Sequence, residues 1–222
     1  MECFYNSKID GINVENLYFK NGRTALAPLE NYFVSLNMSI AFIKLNILKD
    51  NNLFPKNPLQ FRSRKLKKNY KLELGYCDNK TYHIKFNPVW AESMFFKGEL
   101  WIDKKTFALQ KIKLKINITD KHPFIPINPE HDTINNVQME ITKSFYVKKN
   151  NDILPAYFNF RYSFDYLSKR TENTDSNELK TLNRKIHTNG IIYFYDYNNP
   201  FILPFFKYNK KFNDYYKMSF IP

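Results

Sequence analysis

From Tyr70 onwards apolar residues return at every second position. Tyr82, Ile84 and Phe86 share one face of a segment while His83 and Lys85 share the other. Such alternation places successive side chains on opposite faces of a strand, one packed and one wet. The same period predicts a strand over 94–102, a turn at Asp103-Lys104-Lys105-Thr106 and an antiparallel return over 107–118. In that return Ile112, Leu114, Ile116 and Ile118 face a core, and Lys111, Lys113 and Lys115 face water. Val137, Met139 and Ile141 alternate with Gln138, Glu140 and Thr142. Within 157–166, Phe158, Phe160, Tyr162 and Phe164 alternate with Asn159, Arg161 and Ser163, and a last strand is predicted over 191–197.

Elsewhere the pattern is less regular. Between Asn13 and Lys49, Val14, Leu17 and Tyr18 have helical spacing, and Pro28 interrupts before the apolar run Tyr32-Phe33-Val34. This predicts a short helix, a loop and a first strand or two. Pro123, Pro126 and Pro129 force an irregular connection over 122–132. Residues 168–189 are polar, with a Glu-Asn-Thr-Asp-Ser-Asn run from Glu172, and are expected to form a mobile loop. Pro200 and Pro204 punctuate an aromatic segment that leads to a tail over 212–221, and no internal repeat is visible. The expected fold is mainly β: an antiparallel sheet, curved or a half-open barrel, with one or two short helices near the N-terminus. A single domain over 1–222 is expected.

Composition adds a large core, since 16 Tyr and 21 Phe stand against only 5 Gly. The 34 Lys and Arg exceed the 21 Asp and Glu by 13, a charge that attracts polyanions or anionic lipid. That charge is spread along the chain, so no specific nucleic acid is expected. The outward lysines of 111–115 fit the ordinary use of Lys to keep a sheet from pairing with strangers. The densest cluster, Arg62, Arg64, Lys65, Lys67 and Lys68, is expected on a loop or the lead-in to a strand. It reads as a solvated loop or as a contact for phosphate or lipid headgroups.

Candidate chemistry is sparse. Cys3 and Cys77 are the only cysteines, which excludes a disulfide framework and a Cys-rich zinc site but leaves one bridge between them open. His83, His122, His131 and His187 are scattered. His122, His131 and Asp132 form the one grouping that a proline-rich loop can gather, and turn hydrogen bonding accounts for the same residues. No nucleophile stands on a Gly-flanked turn and no Gly-rich phosphate loop occurs. No catalytic residue, cofactor site or metal ligand is therefore assigned, and the chain is not expected to be an enzyme. No uncharged apolar run approaches the roughly 20 residues of a membrane-spanning helix. The start also lacks the basic and apolar regions of a signal peptide, so a soluble domain is expected.

The run Phe96-Lys97-Gly98-Glu99-Leu100-Trp101-Ile102-Asp103-Lys104-Lys105-Thr106-Phe107-Ala108-Leu109-Gln110-Lys111-Ile112 resembles a hairpin signature of a Gram-negative envelope family of unknown function. Its members look like carboxypeptidase-regulatory-like proteins: an immunoglobulin-like regulatory domain, a middle region and an outer-membrane β-barrel. Despite the name, that regulatory domain is no peptidase. Asn13-Val14-Glu15-Asn16-Leu17, Ala27-Pro28-Leu29, Tyr82-His83-Ile84-Lys85-Phe86-Asn87-Pro88 and Tyr216-Lys217-Met218-Ser219-Phe220-Ile221-Pro222 agree with the resemblance. The hairpin is also similar to the strands of periplasmic lipoprotein carriers, whose half-open barrel wraps an apolar cavity. The resemblance implies a fragment of a cell-envelope protein on the periplasmic side of the outer membrane. It would be non-catalytic, binding lipid or lipoprotein or packing against a membrane barrel of the same protein. Barrel strands, a regulatory domain and a signal peptide are not recognisable, so membrane insertion is not expected of this region. A structural linker without ligand and a basic polyanion binder are the alternatives.

Overall fold

The computed structural model describes residues 2–25, 36–76, 78–90, 93–124, 130–148, 152–171, 179–194 and 218–221. Strands β1 (Glu2–Asp10) and β2 (Asn13–Ala25) form a hairpin, and β10 (Met218–Ile221) completes a three-stranded sheet in the order β1-β2-β10. Helix α1 (Leu36–Lys44), a 3₁₀ turn (Pro58–Gln60) and helix α2 (Ser63–Asn69) follow β2. The rest is a meander: β3 (Tyr70–Leu74), β4 (Thr81–Pro88), β5 (Lys97–Asp103), β6 (Leu109–Thr119), β7 (Asp132–Val147), β8 (Ile153–Thr171) and β9 (Leu179–Tyr193). These seven strands lie side by side in chain order and pair antiparallel throughout. The fold is mainly β and is not closed into a barrel, because β3 and β9 remain the two edges of the sheet.

The two-residue period explains the core. On the inner face Leu74, Ile84, Leu100, Ile112, Lys143, Phe158 and Ile192 are paired strand to strand across the sheet. The adjacent row runs Leu72, Phe86, Gly98, Leu114, Ile141, Phe160 and Gly190. Its two glycines each lie beneath a paired aromatic ring. A Cβ on Gly98 would stand 2.9 Å from Phe86 Cζ and 1.9 Å from the Lys113 carbonyl, and one on Gly190 would stand 2.1 Å from the Phe160 ring. Above these rows α1 contributes Phe42 and Ile43, and the strap after it contributes Leu45, Ile47 and Phe54, all buried. Phe42 stacks on Phe160 with centroids 4.3 Å apart. Val14 of β2 belongs to the same buried cluster.

The strap is held by its own amides. Asn57, buried, donates from Nδ2 to the Ile47 carbonyl at 3.0 Å and accepts at Oδ1 from the Leu59 N–H. Gln60 completes a reciprocal cap, accepting from the Asn57 N–H, while its Nε2 donates to the Lys49 carbonyl at 2.7 Å.

Several local expectations are corrected. Val14, Leu17 and Tyr18 lie on strand β2, because pairing with β1 overrides their helical spacing. The helix instead forms over Leu36–Lys44, while the run Tyr32-Phe33-Val34 lies outside the described residues. The basic cluster expected on a loop or the lead-in to a strand forms helix α2, with Arg62 as its N-cap residue, and α2 runs directly into β3. The polar stretch expected as a mobile loop is in part strand: β9 begins at Leu179 and pairs with β8 as far as Tyr193. Residues 172–178 and 195–197 of those expectations lie outside the described residues. Ile118 does not share the face of Ile116, because a register shift between Ile116 and Thr119 turns it outward, 64% exposed, and buries Thr119 instead.

Candidate functional site

The aromatic row of β8 is fully packed. Phe42 covers Phe160 and Tyr162, Phe124 covers Phe164 and Tyr166, and Phe194 lies against Phe158. One inner-face position of β7 carries a charge-bearing group. Lys143 is 2% exposed, and its Nζ donates to the carbonyls of Leu45 at 2.6 Å and Ile43 at 3.2 Å. These oxygens sit where α1 runs out of hydrogen-bond donors. The amine also stands 4.1 Å from the centroid of the Phe158 ring. Burial pulls its pKa down from 10.5 to about 7. A buried amine with its pKa lowered toward neutrality is a potential nucleophile. Here both carbonyls and a ring enclose it, and the geometry performs helix capping. The signal for it was in the sequence: in the series 137, 139, 141, 143, 145 a lysine takes an inward position among apolar residues.

The outer face carries a charge ladder. Glu73, Lys85, Glu99 and Lys113 are paired in succession across β3 to β6, so unlike charges alternate from strand to strand. His83 Nε2 meets Glu99 Oε2 at 2.7 Å, and the His83 ring stacks on Trp101 at 4.8 Å. Lys111 and Lys113 lie over the same indole at 4.9 and 5.5 Å. The lysine row of β6 is thus partly engaged by Glu99 and Trp101.

The histidines are not gathered. His83 and His187 lie on β4 and β9, with four strands between them in the order β4-β5-β6-β7-β8-β9. Asp132 opens β7 and accepts from the Tyr166 hydroxyl. His122 Nδ1 and the Tyr162 hydroxyl are buried without a hydrogen bond of normal geometry. The Phe124 backbone opposes the effect of burial on both groups without outweighing it. Burial still lowers the His122 pKa and raises that of Tyr162. Among the described residues no group of three or more His, Cys, Asp or Glu is placed to hold a metal ion. Cys3 is a free thiol whose pKa burial raises, and Cys77 lies outside the described residues.

What the sequence reading did not assemble is a surface corner around α2. Arg62, Arg64, Lys65, Lys67 and Lys68 are all exposed, while Leu66 tucks against the core. The Val89 N–H donates to the Asn69 carbonyl at 2.9 Å, which places Val89 and Trp90 beside the C-terminal end of α2. Trp90 is 69% exposed, and Val89 and Met94 are exposed with it. Met94 is held close by the Lys56 N–H, which donates to its carbonyl at 2.9 Å. Beyond the helix Leu72 and Leu74 lie on the inner face but past the cover of α1, Leu74 being 69% exposed. Among the described residues no helix is long and apolar enough to cross a membrane.

Fold and site together define an open antiparallel meander, capped by one helix, with a basic and aromatic corner at one edge. No family model matches the chain, and neither the curated proteins nor the solved structures contain a match to it.

Proposed function

We propose that this chain is a non-catalytic module that docks on an anionic lipid surface through the α2 corner. The observation that carries the reading is the exposed Trp90 held beside five exposed basic residues, Arg62, Arg64, Lys65, Lys67 and Lys68, by the Val89–Asn69 backbone bond. Each Lys or Arg at an anionic membrane surface contributes about 1 kcal/mol. An indole prefers the headgroup level, where its ring is apolar and its N–H stays wet. Charge alone gives adsorption that salt removes, whereas a basic patch beside Trp, Val and Met gives attachment that survives screening. The packed β8 aromatics favour a surface contact over an enclosed apolar cavity. The periplasmic, outer-membrane setting rests on the resemblance of the Phe96–Ile112 run, and an anionic leaflet is the one property the reading needs from it.

Flotation with neutral vesicles and with vesicles carrying about a third acidic phospholipid tests the proposal. Binding to the acidic vesicles only is expected, with Trp90→Ala weakening it about tenfold, the equivalent of roughly 1.4 kcal/mol. Equal binding to both vesicle types, or a Trp90→Ala variant that binds as well as the parent, would contradict it. Binding to heparin and DNA as tight as to vesicles, with no effect of Trp90→Ala, would favour the polyanion reading instead.

A further inference from the structure

The outer edge of β3 is complementary to itself. In the β3–β4 ladder the Gly75 N–H donates to the His83 carbonyl at 2.8 Å and the Val89 N–H to the Asn69 carbonyl at 2.9 Å. Alternation then directs the amides of Lys71 and Glu73 toward β4, and those of Tyr70, Leu72 and Leu74 away from the sheet. The Tyr70 N–H is already used, donating to the Leu66 carbonyl at the end of α2. The Tyr70 carbonyl, both Leu72 groups and both Leu74 groups therefore point outward, and no described segment pairs with them.

We propose that β3 pairs antiparallel with β3 of a second copy of this chain, about a two-fold axis at Leu72. In that register Leu72 exchanges both backbone bonds with its counterpart. Each Leu74 N–H donates to the Tyr70 carbonyl of the other copy; the return bond is not made, because the Tyr70 N–H is held by Leu66, so the pairing rests on four backbone bonds. Lys71 falls opposite the other copy's Glu73, and Glu73 opposite its Lys71. These are non-hydrogen-bonded positions, where side chains across an antiparallel pair come closest. The intrachain ion pair of Lys71 with Glu73, at 3.2 Å and exposed, is present once in each copy, and the two are exchanged for two between copies.

The outer-face ladder carries the choice of occupant. Lys113, Glu99, Lys85 and Glu73 alternate in sign up to the edge of the sheet. The next position in the proposed register is the other copy's Lys71, which continues the alternation across the interface. On the inner face the same pairing sets the exposed Leu72 against the other copy's Leu72 and the exposed Leu74 against its Tyr70. A Lys on a short edge strand ordinarily repels strangers. A Lys-x-Glu edge read about a two-fold attracts its own copy, as an isologous contact requires.

Sedimentation velocity on the full chain, from about 1 to 500 μM, gives the test. The parent is expected to pass from monomer to dimer across that range. Lys71→Glu places Glu opposite Glu and Glu73→Lys places Lys opposite Lys, so each variant alone should associate at least tenfold more weakly. Mixed in equal amounts, the two variants should recover a heterodimer, since every cross-copy pair is again of opposite sign. Leu72→Pro removes an outward N–H that the monomer does not use and should also weaken the dimer. A parent that stays monomeric overturns the proposal. So does a dimer indifferent to these substitutions, or a mixture that fails to recover association.

Discussion

The amine of Lys143 donates to the carbonyl of Leu45, 2.6 Å away and 98 residues earlier in the chain. One side chain from the middle of the sheet thereby closes the end of α1 and ties the strap to β7. A protonated amine is favoured by the helix C-terminus and by the Phe158 ring, and is opposed by loss of water. Burial wins, and the pKa falls to about 7.

That balance predicts a pH dependence. The unfolded lysine titrates near 10.5 and the folded one near 7, so between these values the unfolded chain binds more protons. The stability from this group is fully present above pH 10.5 and is lost as pH falls to 7. Across that window the parent should gain up to roughly 5 kcal/mol from this site. Urea unfolding of the parent and of Lys143→Met at several pH values checks it: the variant should lose this rise while the other titrating groups remain.

Gly190→Ala should destabilise the fold by roughly 2–3 kcal/mol, because the new methyl would stand 2.1 Å from the Phe160 ring, itself stacked under Phe42. Denaturant midpoints measure this. Gly11→Ala provides the contrast: no atom lies within 4 Å of its added Cβ, and only the backbone at φ +53 opposes it, at a cost of about 1 kcal/mol.

Phe107 occupies left-handed backbone at φ 56 and is 72% exposed. Its turn is already fixed by Asp103 Oδ1, which accepts from the amides of Lys105 at 3.0 Å and Thr106 at 2.8 Å. Phe107→Gly removes the steric strain and little packing, so a rise in stability of about 0.5–1 kcal/mol is expected from thermal or urea unfolding.

The hairpin and strands from Thr81 to Tyr166 were legible because one face of each meets the core and the other meets water. Where that contrast fades, the reading failed. The β9 stretch from Leu179 is polar, yet it pairs along β8, and its backbone bonds depend on the partner strand. The helical spacing of Val14, Leu17 and Tyr18 was outweighed by the partner strand β1. Ile118 went astray because a bulge shifts the period by one residue, which no alternation rule reports. The basic cluster of α2 was visible as a cluster. Its neighbours Trp90 and Met94 were not, since bonds from Val89 to Asn69 and from Lys56 to Met94 bring distant segments together.

Trp90 and Trp101 are the only tryptophans, and Trp101 stands on the outer face between His83 and two lysines. A Trp101→Phe background therefore isolates the corner indole. The most direct measurement is its fluorescence with acidic vesicles whose acyl chains are brominated near the headgroup. Strong quenching that persists at about 0.15 M salt is the result this account predicts, since an inserted indole is screened little. An unquenched indole on bound vesicles, or binding that vanishes at that salt, would contradict a lipid-docking role.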